Sequence, residues 1–190
     1  MVCCFRNKPF FCHLCLMATL NIEIKATCPD PDRIRQWLLA HGARFVGVDG
    51  QTDTYFNVPN GRLKLREGNI ENNLIFYTRT NQDGPKQSDF LLVKVADAAG
   101  LKESLTRANG IRTIVHKSRE IYFIDNVKFH IDEVRGLGSF TEIEACNNDG
   151  EFTSVELHEQ CSGYMSALQI TADHLLSHSY SDMMIESATL

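Results

Sequence analysis

No stretch of about eighteen apolar residues occurs in the chain, so a membrane-spanning helix is excluded on length. A basic excess is missing as well. The 19 Lys and Arg stand against 24 Asp and Glu, a formal charge of −5, which argues against a general binder of nucleic acid or of anionic membranes. The seven cysteines lack the spacing of a disulfide framework: four (Cys3, Cys4, Cys12, Cys15) crowd the first sixteen residues, while Cys28, Cys146 and Cys161 are scattered singly. That pattern suits a reducing, cytoplasmic compartment. Cys12-His13-Leu14-Cys15 has knuckle spacing, but no second pair follows to complete the roughly four ligands of a tetrahedral zinc site. Internal repeats and low-complexity linkers are also lacking.

What is present suffices for one domain. The chain has 190 residues of which 43% are hydrophobic, enough for a core, and the expected domain spans residues 18–190. Residues 1–17 form an N-terminal extension in which Arg6 and Lys8 precede the apolar run from Pro9 to Ala18. This extension is read as disordered or as targeting, or as an upstream start with Met17 the working initiator.

Apolar alternation predicts a strand at Leu20–Ala26, and Cys28-Pro29-Asp30-Pro31-Asp32 caps a helix over Asp32–His41. Further strands are predicted at Arg44–Val48, Gln51–Asn57, Arg62–Glu67, Asn73–Thr80, Phe90–Val95, Thr113–Ile124, Val127–Val134 and Ser139–Ala145, separated by turn signals. Helices are expected at Ala98–Ala108 and Ser154–Leu168, followed by a tail around Tyr180–Ile185 that docks or stays loose.

Charge recurs at every second position of these strands, as in Glu23 and Lys25, or Arg62, Lys64 and Arg66. Any one such strand reads as a sheet face in water. Together, about eight strands with few helices tend to close into a barrel, and helices packed on the aliphatic face would turn the charged face inward. The interior would then hold nine basic groups (Lys25, Arg62, Lys64, Arg66, Arg79, Lys94, Lys117, Arg119, Lys128) and four acidic ones (Glu23, Asp132, Glu142, Glu144). Taking nine from the 19 basic residues and four from the 24 acidic ones leaves ten against twenty outside, so an interior of +5 is expected within a remainder of −10. Burying unpaired ions costs on the order of several kcal/mol each, which a water-filled lumen with a polyphosphate guest would offset. The carboxylates Glu23, Glu142 and Glu144 are hard oxygen donors suited to Mg²⁺ or Mn²⁺ between themselves and phosphate.

The segments Asn21-Ile22-Glu23-Ile24-Lys25, Leu63-Lys64-Leu65-Arg66-Glu67, Tyr77-Thr78-Arg79, Gly84-Pro85-Lys86-Gln87-Ser88-Asp89-Phe90, Lys117-Ser118-Arg119 and the run from His130 to Glu144 resemble the CYTH superfamily. Within it they are most similar to class IV adenylate cyclase-like proteins. The resemblance implies an α+β fold: a closed antiparallel eight-stranded barrel, the triphosphate tunnel, with helices packed outside. It implies a metal-dependent enzyme on a small-molecule triphosphate, cyclising ATP to cyclic AMP and pyrophosphate, or hydrolysing thiamine triphosphate, inorganic triphosphate or nucleoside triphosphates. A catalytically weak polyphosphate-binding module is the third reading. Neither nucleic acid nor membrane is an expected partner; a homodimer is compatible.

By the same resemblance Glu23, Glu142 and Glu144 are metal ligands, and Lys25, Lys64, Arg66, Arg79, Lys117, Arg119 and Lys128 bind phosphate, with Arg62 and Lys94 in phase beside them. Lys64, Tyr55 and Asp132 are the catalytic candidates, although Tyr55 is read first as a packed strand aromatic, Asp132 also reads as support for a cradle residue or a metal-bound water, and His130 as structural. The first strand departs from the family's Glu-x-Glu-x-Lys at Asn21.

Overall fold

A computed structural model describes residues 19–78, 84–147 and 150–188. Eight strands alternate with four helices: β1 (Thr19–Thr27), α1 (Pro31–Ala40), β2 (Arg44–Phe56), β3 (Arg62–Glu67), β4 (Asn73–Thr78), β5 (Lys86–Lys94), α2 (Ala98–Asn109), β6 (Ile111–Ile124), β7 (Val127–Val134), β8 (Gly138–Cys146), α3 (Ser154–Ala167) and α4 (Tyr180–Ser187). Antiparallel pairing runs β1-β5-β4-β3-β2-β6-β7-β8, and β8 returns to β1. The closing pair sets Glu23 opposite Glu144 and Lys25 opposite Glu142. Closure leaves no unpaired sheet edge and divides each strand's side chains between an outer and an inner face.

The outer face is aliphatic where helices cover it. Ile22, Ile24, Phe129, Ile131 and Ile143 pack with Ile34 and Leu38 of α1 and with Leu157 and Cys161 of α3 in one core cluster. Helix α1 starts at Pro31, one residue before the expected start, because the Asp30 carboxylate accepts the Arg33 N–H and proline suits the first turn. Helix α3 is held by a reciprocal Thr153–Glu156 capping box. Helix α2 contributes no buried residue and lies against β2 and β3.

Two expectations need correction. Arg44–Val48 and Gln51–Asn57 are one strand, since Asp49 and Gly50 stay in the ladder opposite Arg119 and Ser118; its register against β6 shifts elsewhere, between Phe45 and Gly47, where Gly47 adopts φ 148°, and between Tyr55 and Phe56. Strand β5 begins at Lys86 rather than Phe90, so Lys86 belongs to the wall and is 1% exposed. The tail docks as α4, with Ser179 as its cap and Tyr180 and Ser181 buried. Residues 1–18, with the proposed targeting run, lie outside the described residues, and no described helix is long and apolar enough to cross a membrane.

Ile143 is fully buried between the barrel wall and α3. Ile143→Ala is expected to lower the unfolding free energy by about 2–5 kcal/mol in a urea titration, with the barrel's circular dichroism retained.

Candidate active site

The inner face carries the charged positions, and they surround a cavity of about 450 Å³. Its lining includes Glu23 and Lys25 from β1, Lys64 and Arg66 from β3, Lys117 and Arg119 from β6, Lys128 and His130 from β7, and Glu142 and Glu144 from β8. Tyr55 lines it too, opposite Lys64 in the β2–β3 register, with the lysine ammonium 5.5 Å from its ring centre. Among the described residues, Asn21, Glu71, Ser179 and Tyr180 are further polar lining groups.

Asp53 organises one side. At 1% exposure it accepts from Lys64 at 3.0 Å, from Arg66 at 2.9 Å and from Lys117 at 2.8 Å. Burial would raise its carboxyl, but Arg66, Lys117 and Lys64 outweigh that and hold it well below the usual carboxylate range. One carboxylate shared by three cations cannot compensate all of them. Burial therefore pushes the Lys117 ammonium down to about 7, against the pull of Asp53 and reinforced by Arg66, Arg119 and Lys64.

Asp132 and Glu142 organise the other side. Arg119 donates through Nε to Asp132 at 2.7 Å and through Nη2 to Glu142 at 2.7 Å, while Lys25 also donates to Glu142. Burial opposes ionisation of Glu142, yet Arg119 and Lys25 keep it well below its ordinary value. His130 is fully buried, and burial followed by the Arg119 charge lowers its pKa, so the imidazole is neutral near pH 7. Its Nδ1 faces Glu142 at 3.2 Å and Glu144 at 3.5 Å, and so carries the proton; Nε2 has no hydrogen-bond partner among the described residues. Ligating atoms of His130, Glu142 and Glu144 all lie within 4.8 Å of one another.

Helix α4 adds groups that the strand pattern gives no reason to expect. The Tyr180 hydroxyl donates to Asp132 at 2.8 Å, and the Lys25 ammonium lies 3.4 Å from the centre of its ring. Asp182 accepts from Arg62 at 2.7 Å, and Lys86 donates to the Leu176 carbonyl at 3.1 Å just before the helix.

The inner wall therefore differs from the expected +5. Arg62 is turned to α4 and does not line the cavity; Lys94, in phase with Phe90 and Leu92, is exposed at the end of β5. Arg79 lies outside the described residues. Asp132 does not line the cavity either: it sits behind Arg119 and accepts from it, the place expected of a support for a cradle residue. Six described cations line the wall with four carboxylates, backed by Asp53 and Asp132. Asp53 was legible in the alternation of Gln51, Asp53 and Tyr55. Glu71 lies in a turn, where no periodicity assigns a face.

An eight-stranded antiparallel barrel with an ionisable lumen is thus the class defined by fold and site. A model of the CYTH domain matches residues 19–161, and the chain belongs to the CYTH family. A protein of Methanocaldococcus jannaschii named "Putative adenylate cyclase MJ0240" is 26% identical over 176 residues, covering 86% of this chain and 98% of that protein. The structure of the PH1012 protein from Pyrococcus horikoshii is similar with a TM-score of 0.73 at 24% identity, over 85% of this chain and 98% of that one. HpAC1 from Hippeastrum, reported to reveal a dominant triphosphatase activity, is similar with a TM-score of 0.57 at 15% identity, over 89% of this chain and 96% of its own. At these identities the structural likenesses establish the fold.

The Lys117 ammonium is expected to titrate near pH 7 by nitrogen-detected NMR, and Asp53→Asn to lower that value further by removing the opposing charge. The unfolded chain keeps this proton up to about 10.5. Across pH 7 to 10.5 the unfolded state binds more protons at this site, so Lys117 makes stability rise with pH in that window. Lys117→Met should remove this component from the pH dependence of thermal unfolding.

Proposed function

We propose that the protein is a metal-dependent enzyme that takes an organic triphosphate into the barrel lumen and cyclises ATP to cyclic AMP with release of pyrophosphate. The observation that carries this reading is the division of the lumen. Cations on β3, β6 and β7 and carboxylates on β8 occupy one arc, whereas Ile75, Tyr77, Phe90 and Leu92 of β4 and β5 form an apolar wall. In the strand order β5 and β4 lie opposite β6 and β7. A polyphosphate matches the first arc and an organic group the second; an inorganic chain of phosphates would leave the apolar wall without a partner.

The donor set fits a hard divalent cation. Glu142, Glu144 and His130 converge, Glu23 faces Glu144 in register, and the buried Asn21 side-chain oxygen, without a hydrogen-bond partner among the described residues, offers a neutral oxygen where the family pattern has Glu. Mg²⁺ or Mn²⁺ held there supplies neutralisation of charge on the phosphate oxygens. The chain's own part is positioning. Lys64, Arg66, Lys117 and Arg119 orient the phosphates so that the ribose 3′-hydroxyl lies in line with the α-phosphorus, and their charge stabilises the departing pyrophosphate. Asp53 and Asp132 keep these cations in place.

Hydrolysis is a second reading, supported by the adjacency of Tyr55 and Lys64, which could activate a water, and by the activity reported for the Hippeastrum protein of similar fold. A single domain over residues 18–190 belongs to the same proposal, because α4 contributes Tyr180 to the cavity that β1 begins.

Product analysis with ATP, inorganic triphosphate and thiamine triphosphate, each with Mg²⁺ or Mn²⁺, tests the proposal. Cyclic AMP with pyrophosphate supports cyclisation, and phosphate release selects hydrolysis. Glu144→Gln, whose side chain holds no strong ion pair among the described residues, is expected to lower metal-dependent turnover at least about tenfold while the barrel stays folded. Undiminished turnover would remove Glu144 from the metal site.

A further inference from the structure

Glu71 stands apart from the other lumen carboxylates. It comes from the turn between β3 and β4, and its oxygens are divided between separate walls. Oε2 accepts from Arg66 of β3 at 2.7 Å and from Gln51 of β2 at 3.2 Å, while Oε1 accepts from Lys128 of β7 at 2.8 Å. Arg66 and Lys128 are cations assigned above to the phosphate-binding wall. Asp53 and Asp132 also hold such cations, but they are 1% and 0% exposed and sit behind them, away from an entering ligand. The Glu71 side chain is 20% exposed and lines the cavity.

The turn that carries Glu71 is clamped. Asp49, fully buried, accepts the backbone N–H groups of Ile70 at 2.8 Å and Glu71 at 3.1 Å. Asn69 ties the same turn to β2 through Gly50 N–H and the Val48 carbonyl. Gly68 leaves room for this clamp, since a Cβ there would meet the Asp49 carboxylate oxygens at 2.7 Å. The Glu71 backbone is thereby fixed while its side chain keeps rotatable bonds. Burial would raise its carboxyl, but Lys128 and Arg66 hold it well below the ordinary range, so it is an anion at neutral pH.

We infer that Glu71 is a tethered stand-in for a substrate phosphate, one that an incoming triphosphate displaces from Arg66 and Lys128. This rests on the triphosphate reading of the lumen. Asp53 occupies Nε and Nη2 of Arg66, so Glu71 offers one oxygen to Arg66 Nη1 and the other to the Lys128 ammonium, and two oxygens of a phosphate compete for these same two donors. A ligand with several phosphates wins because it also engages Lys64, Lys117 and Arg119. A single phosphate lacks those added contacts, and Glu71 excludes it. Glu71 thus determines selectivity for polyphosphates over monophosphate.

The test is calorimetric titration of the full chain, in EDTA, with inorganic triphosphate and separately with inorganic phosphate. Glu71→Gln is expected to bind triphosphate roughly tenfold more tightly, the value of one charge-assisted hydrogen bond, and to gain measurable binding of phosphate. Glu71→Asp keeps the charge but falls one methylene short, and should shift in the same direction; it carries the test should Glu71→Gln fail to fold. Glu67→Gln is the control for net charge, because Glu67 pairs with Lys102 of α2 outside the barrel, and it should change neither affinity. Unchanged triphosphate affinity in both Glu71 variants overturns the inference and leaves the lumen reading standing. Absence of triphosphate binding in every protein, in EDTA and again with Mn²⁺ in place of EDTA, overturns that reading itself. In a separate titration with Mn²⁺ alone and no EDTA, loss of Mn²⁺ binding by Glu71→Gln at unchanged triphosphate affinity would make Glu71 a metal ligand and also overturn the inference.

Discussion

The lumen depends on Asp53. A barrel that gathers Lys64, Arg66 and Lys117 into one space must neutralise them, because an unpaired buried ion costs on the order of several kcal/mol. Strand β2 lies between β3 and β6, so a single inward carboxylate on β2 reaches cations on both neighbours. Asp132 does the same for Arg119 from β7. These two carboxylates face the back of the cations they hold, which leaves the front of each available to the cavity. The cationic arc is thus preorganised without being exhausted, the condition that electrostatic stabilisation of a polyanion requires.

Carboxylates that line the cavity have a different place in this scheme. Glu142 joins Lys25, Arg119 and His130, and Glu71 joins Arg66 and Lys128. In the proposed reading a phosphate takes the carboxylate's place on each cation, while Glu142 gains a metal as its new partner and the displaced Glu71 does not. An exchange of partners demands less of the fold than the creation of new buried ions, and in that reading it would make binding of the metal and of the phosphate mutually supportive.

Helix α4 makes the site tertiary in a further sense. Its Tyr180 and Asp182 lie 48 and 120 residues along the chain from their partners Asp132 and Arg62, yet they hold Lys25 beneath an aromatic ring and draw Arg62 out of the lumen. The reduced charge of the inner wall follows partly from this. A cation counted by phase alone is assigned to the interior, and a docking helix can reassign it.

The alternation of aliphatic and charged residues determined the barrel, its inside and its outside, and most of the wall: Lys25, Lys64, Arg66, Lys117, Arg119 and Lys128, with Glu23, Glu142 and Glu144, line one cavity as the two-residue period requires. That period is a property of the extended backbone itself and needs no partner strand. It cannot assign a residue in a turn, such as Glu71, or at a strand end, such as Lys94, or a helix such as α4 that docks on the barrel from outside. Nor can it rank depth, which separates Asp53 and Asp132 behind the cations from Glu71 in front of them. Depth and docking are set by strand order and by contacts between residues far apart in the chain, and these exist only once the sheet has closed.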